Sequence, residues 1–191
     1  MLQMLKIKPF FILLFSLLTL LPGLVVSAET KVLKDYHMTL YKDVQGSLDG
    51  FELFTKVEGK RAFFGLTCSI QSPLPLLQVI LFDDEIMTDM TKLLSAKVFI
   101  DGVEQTLQLQ GILKVVDTAE ELSNKVRLEI VTERGSSLQQ LQSQYKNLLN
   151  SLQKGQLLTI ELNHRTLEPK DMSFSLQGLE GLLKPNQAVC F

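Results

Sequence analysis

Few residues in this chain are of the types that do chemistry, and their spacing decides what they are worth. Only two histidines occur, His37 and His164. A zinc site needs three or four converging ligands, and neither histidine has a companion at helical spacing or a C-x-x-C pair beside it. Both are therefore expected as surface or strand residues. Ser143-Gln144-Tyr145-Lys146 matches the S-x-x-K pattern in which a lysine one turn on takes the serine's proton. That chemistry also needs S-D-N and K-T-G elements, which this sequence lacks, and here the motif falls in the middle of a helical stretch on its polar side. Asp83-Asp84-Glu85 with Asp89 offers carboxylates to a calcium ion. The alternating spacing and loop glycine of an EF-hand are missing, so a solvated turn is expected instead. No G-x-S-x-G elbow, G-x-G-x-x-G turn or Walker loop occurs. These residues assign no catalytic, cofactor-binding or metal site, and the chain is read as a non-enzyme without a cofactor.

Cys68 and Cys190 are the only cysteines. Their meaning depends on compartment, and the first 28 residues speak to that. Lys6 and Lys8 precede an apolar run from Pro9 to Val26, broken by Pro22-Gly23 and ending in Val26-Ser27-Ala28. This is the n-region, h-region and small-residue cleavage site of a secretory signal peptide, with cleavage between Ala28 and Glu29. A transmembrane anchor is the competing reading. The apolar run is near the lower limit for a bilayer span, and Pro22-Gly23 would break it near its outer end. Residues 29–191 contain no second long apolar segment, so the mature domain is not expected to span a membrane. An even cysteine pair in an oxidising compartment predicts a disulfide between Cys68 and Cys190. Two free thiols, with Cys68 buried as a small apolar group, are the alternative. The bond would close nearly the whole domain and contribute about 3–5 kcal/mol, mainly by restricting the unfolded chain.

The whole chain has a formal net charge of −2, and both charges of the leader are basic. The remainder is thus mildly acidic, with no Trp and no basic stripe interleaved with aromatics. That gives no electrostatic reason to expect nucleic acid or an anionic membrane as partner. No asparagine stands in an N-x-[ST] context, so no glycosylation site is expected.

The elements that must position these residues are mostly strands. Tyr36, Met38 and Leu40 alternate within 29–50, as a first strand or an ordered arm. Residues 51–57 and 61–71 read as a hairpin, with Phe64, Leu66, Cys68 and Ile70 on one face. LLQVILF at 76–82 suits a buried strand. Residues 96–101, Asp101-Gly102 and the following VEQTLQLQ form the clearest hairpin signal. Residues 111–116, 125–131, 156–162 and 172–176 read as further strands. After Gly135 the period changes: Leu138, Leu141, Tyr145, Leu148, Leu149 and Leu152 recur at helical spacing. The helix is expected over about 137–153, opened by a capping box of Ser136 with Gln139 or Ser137 with Gln140. Gly155 stands where a C′ residue is expected. GLEGLLK at 178–184 suits a short final helical turn, and the last residues form a tail held if Cys190 is bonded. The pattern predicts one domain over 29–191, an antiparallel β-sandwich or partly open barrel with the helix packed on it.

The order of elements in the last third, LQKGQLLTIEL followed by MSFSLQGLEGLLK, resembles the invasion-associated locus B family of exported bacterial proteins. The matching residues are Gly155, Leu158, Ser175, Leu176, Gly178 and Leu179, and the 51–71 hairpin with Cys68 resembles that family's early hairpin. An early Trp and a central cysteine pair of the family are absent, and Leu179 replaces the usual Phe. The resemblance implies a β-sandwich in the periplasm or outside the cell with a role in host interaction. It carries over no catalytic residue. The function expected is binding of another macromolecule, an envelope or extracellular protein. A carrier of a small apolar ligand and a hydrolase whose residues meet only in three dimensions are the alternatives.

Overall fold

Alternation at period two commits most of the chain to one antiparallel sheet. A computed structural model describes residues 27–118 and 122–191; the n- and h-regions of the leader lie outside the described residues. The strands are β1 Ser27–Leu33, β2 Tyr36–Lys42, β3 Leu48–Lys56, β4 Ala62–Ser69, β5 Leu76–Phe82, β6 Lys92–Ile100, β7 Val103–Glu104, β8 Leu109–Asp117, β9 Leu122–Ile130, β10 Leu157–Asn163 and β11 Lys170–Ser175. They join in the order β1-β2-β3-β4-β5-β9-β8-β6-β10-β11, with β7 paired to β6. The sheet curls into a half-barrel. The expected sandwich or open barrel thus resolves as one continuous curved sheet.

Helix α1, Leu138–Lys154, fills the concave side with Tyr145, Leu148, Leu149 and Leu152. Its capping box is the Ser137 one: Ser137 Oγ accepts from Gln140 N–H (3.2 Å), and Gln140 Oε1 accepts from Ser137 N–H (2.8 Å). Leu138 at the first turn is half exposed, so the apolar stripe is shorter than the spacing implies. Gly155 ends the helix in extended backbone, not in the left-handed conformation expected of a C′ glycine. Close approach explains the residue. A Cβ there would lie 2.4 Å from Ile100 Cγ2 and 3.0 Å from Leu176 Cδ1.

Three other segments depart from expectation. Residues 29–50 hold most of β1, all of β2, joined to it at Lys34-Asp35, and the start of β3, rather than one strand. Ile70 is exposed, because β4 ends at Ser69 and the chain turns before the alternation can carry Ile70 inward. The Asp101-Gly102 turn has positive φ at both residues, as a tight type I′ hairpin requires. Yet only Val103–Glu104 continue that hairpin, and β6 then pairs with β8. LLQVILF is buried on one face only: Leu77, Val79 and Leu81 point inward.

Helix α2, Leu179–Leu183, runs into a 3₁₀ segment, Lys184–Cys190, which buries Cys190. Cys68 and Cys190 form a disulfide, with Cα atoms 4.6 Å apart. The last residues are therefore an ordered element fastened to β4, not a loose tail.

A candidate binding groove at the free edge of the sheet

The side chains of β3, β4 and β5 that do not face the core share the outer face of the sheet. Register places Lys56 opposite Phe63 and Phe63 opposite Ile80, and Phe54 lies opposite Gly65. Gly65 leaves a flat spot that the Phe54 ring occupies, since a Cβ there would meet that ring at 2.2 Å. Phe63 and Phe82 meet edge to face with centroids 5.8 Å apart. The Arg61 guanidinium lies 4.8 Å from the Phe82 ring centre and pairs with Asp83 at 3.1 Å. Phe54, Phe63, Ile80 and Phe82 are all only partly buried.

Strand β11 crosses the ends of these strands. At its start, Lys170 Nζ donates to the Glu85 backbone carbonyl (2.7 Å) and pairs with the Glu85 carboxylate (2.8 Å), which also takes Lys60 (3.3 Å). The hydrogen bond from Lys170 holds the Glu85 carboxyl below the usual carboxylate range. Midway, Phe174 packs on Phe64 from the core side. Past its end, Asp35 N–H donates to Gln177 carbonyl oxygen (3.4 Å). Gly178, at φ +97, brings the chain so close to Leu33 that a Cβ would stand 2.2 Å from Leu33 oxygen. Between β11 and the outer aromatics lies an open groove of about 1090 Å³. Ser173 and Ser175 form one side, the aromatics the other, and Lys34, Lys56, Asp35 and Glu58 stand around it.

A polar loose end lies beneath the groove, on the core side of β3. Thr55 is 2% exposed and lines the groove, and its Oγ1 has no hydrogen-bond partner. The hydroxyl of Tyr36, buried on the neighbouring strand, is likewise unpartnered. Burial pushes the Tyr36 phenol well above its usual pKa, so it stays neutral. Unsatisfied buried hydroxyls cost about 1–3 kcal/mol each, a cost the fold carries here on the core side of β2 and β3.

The inside of the half-barrel is different. Between helix and sheet remains a void of about 10 Å³, no more than the least volume one water molecule needs.

The residues singled out by chemistry fall in separate places. His37 reaches the groove, together with Asp35, Ser173 and Ser175. No hydrogen bond joins His37 to either serine among the described residues; Ser173 Oγ bonds Thr159 (2.9 Å) and Ser175 Oγ accepts from Gln177 N–H (3.1 Å). His164 is engaged in its own turn, with Thr166 N–H and Oγ1 at 3.2 and 2.9 Å from Nδ1. Ser143 is exposed mid-helix, and Lys146 lies over the Phe191 ring at 4.8 Å. The acidic cluster is a 3₁₀ turn whose Asp83 and Glu85 are taken by Arg61, Lys60 and Lys170. Ala28 and Glu29 lie within β1, opposite Tyr41 and Leu40.

Sequence reading missed two positioning residues. Asn124, fully buried on β9, accepts from Met87 and Thr88 N–H and donates to Thr88 oxygen, fixing the loop after Glu85. Asp101 Oδ1 accepts from Gln156 and Leu157 N–H, both at 2.9 Å, tying the hairpin turn to the start of β10. A polar residue in an otherwise apolar alternation was the one signal for Asn124.

The fold thus defines the chain as a mainly β protein, an antiparallel half-barrel closed by one helix and cross-linked by a disulfide. No helix among the described residues is long and apolar enough to cross a membrane. No known family model matches the sequence, and no curated protein is detectably similar to it.

Proposed function

We propose that this chain is an exported, non-enzymatic binding protein that engages a protein partner of the periplasm or the extracellular space through the groove beside β11. One observation carries the reading: four apolar side chains, Phe54, Phe63, Ile80 and Phe82, sit on the solvent side of a sheet whose other side is already filled. Aromatic residues in a concave, partly exposed patch are what protein interfaces concentrate. The filled interior argues against the carrier reading, which needs an internal apolar cavity of ligand size. The leader, the bonded cysteine pair and the resemblance to the invasion-associated locus B family all favour export, and the family adds host interaction as the setting.

The test is capture from envelope and culture-medium extracts with the wild-type protein and with Phe63→Ala and Phe82→Ala variants of unchanged circular dichroism. The expected result is a partner retained by the wild type and depleted by either variant. Equal capture by all three proteins overturns the groove as the binding face. Mass spectrometry of the exported protein is expected to find Glu29 at its N-terminus.

A second reading has its own observation, the presence of Asp35, His37, Ser173 and Ser175 around one cleft. It is the arrangement a hydrolase would elaborate. Covalent labelling of Ser173 or Ser175 by a fluorophosphonate would favour it over pure binding.

A further inference from the structure

We propose that the groove takes its partner as an extended peptide segment that adds to the free edge of β11 as a further antiparallel or parallel strand. The inference rests on the groove being the binding face and names what it recognises, a peptide backbone.

The argument starts from hydrogen-bond parity. Leu176 N–H donates to Gln156 oxygen at 2.9 Å, and Phe174 faces Leu158 and Met172 faces Ile160 in the same register. In an antiparallel ladder, directly opposed pairs alternate between bonded and non-bonded. Leu176, Phe174 and Met172 therefore turn their backbone groups to β10. Ser175, Ser173 and Asp171 turn theirs the other way. The opposite strand agrees: Leu157, across from Ser175, sends its carbonyl away from β11 to Asp101 N–H at 2.9 Å. No strand follows β11 in the sheet. The backbone N–H and C=O groups of Asp171, Ser173 and Ser175 have no backbone partner among the described residues.

An edge of this kind is a template for another strand unless something blunts it. At Ser173 and Ser175 nothing does. Both side chains are small and uncharged, and both line the groove. Successive side chains of an added strand would alternate in direction, so every second one could rest on Phe54, Phe63, Ile80 and Phe82, while the backbone pairs with Ser173 and Ser175.

Charge does not select another class of ligand. Lys34 and Lys56 are matched at the rim by Asp35 and Glu58, and Lys60, Arg61 and Lys170 are already paired with Glu85 and Asp83. Five cations stand there against four carboxylates, so a polyanion or an anionic lipid surface meets an excess of only one positive charge. A row of unpaired backbone groups beside an aromatic face is the recognition chemistry that remains, and it fits a peptide.

The experiment pans a displayed random heptapeptide library on the disulfide-bonded protein and follows the best synthetic peptide by calorimetry and amide NMR. Binding is expected to shift and protect the amides of Ser173 and Ser175. N-methylation of the alternate peptide amides that face β11 is expected to weaken binding by about tenfold or more, which is about 1.4 kcal/mol or more. Ser173→Pro is expected to do the same, because proline removes the outward N–H yet is tolerated on an edge strand. If Ser173→Pro does not fold, the N-methyl series decides alone. The proposal is overturned if N-methylated and parent peptides bind alike, if the shifted amides belong to β1, or if panning yields no peptide that binds. Loss of the natural partner in Phe82→Ala with full retention in Ser173→Pro would leave the groove as the binding face and remove strand addition.

Discussion

The sheet has two ends, and they are built in opposite ways. β1 is exposed on both faces along nearly its whole length. Its edge is guarded by charge: Glu29 pairs with Lys42 at 2.7 Å and with Lys31 at 3.4 Å. β11 buries Met172 and Phe174, is held at its start by Lys170 and Glu85, and past the single charge of Asp171 presents Ser173 and Ser175. Charged side chains on an exposed edge are how proteins discourage unwanted strand pairing. The difference teaches that a bare stretch of edge at Ser173 and Ser175, between Asp171 and the Gln177 carbonyl held by Asp35, is a feature with a use, whereas β1 shows that this sequence can guard an edge along its length.

The contrast can be broken most forcefully on the β11 side. Cys68→Ala with Cys190→Ala removes the link between β4 and the segment after β11, and should cost about 3–5 kcal/mol in chemical denaturation. Phe174→Ala, which empties a fully buried ring position, should cost about 3–5 kcal/mol. Val32→Ala on β1, a strand that covers no core, should stay within about 0.5 kcal/mol. A comparable cost for Val32→Ala and Phe174→Ala would erase the distinction between the edges. Ser137→Ala sharpens it from outside both: losing the cap of the helix beneath the sheet should cost about 1 kcal/mol, read as a drop in thermal midpoint.

The ion pairs give the smallest effect and the clearest sign. Glu85 has its pKa lowered on folding, so its contribution is complete above the usual glutamate range and is lost as pH falls through the lowered value. Thermal midpoints measured between neutral and acidic pH should fall less steeply for Glu85→Gln than for the wild type. Glu29 is lowered too, by its hydrogen bond to Lys42, but is open to solvent. Glu29→Gln should therefore change that acid limb less than Glu85→Gln does, and a larger change would place the stronger clasp on β1.

Much of the fold was legible. Strands with clean alternation, such as 36–40, 62–68 and 125–130, stand where the period puts them, and the helix begins at one of its two expected caps. Errors came where a neighbour in space outweighed the local pattern. Gly155 is glycine because Ile100 and Leu176 crowd it, and those contacts span long stretches of chain. Ile70 continues the alternation of Phe64, Leu66 and Cys68, but the strand stops before it. The groove was less legible than the fold. Phe63, Ile80 and Phe82 read as apolar strand residues, and nothing local says that their face meets solvent rather than a second layer. Ser173 and Ser175 read only as the polar half of an alternation.

By itself the sequence determined the class of the molecule: period two for strands, one change of period for the helix, and two cysteines with a leader-like N-terminus. These are local signals, and the physics behind them acts over a few residues. Only the tertiary structure decided that the strands join in one curled sheet and that β11 lies at its edge across the ends of β3–β5; the Cys68–Cys190 bond, expected from parity and compartment, gains its geometry there across a separation of 122 residues. Which strand is left without a neighbour depends on how all the others pair, so no stretch of residues can encode it alone.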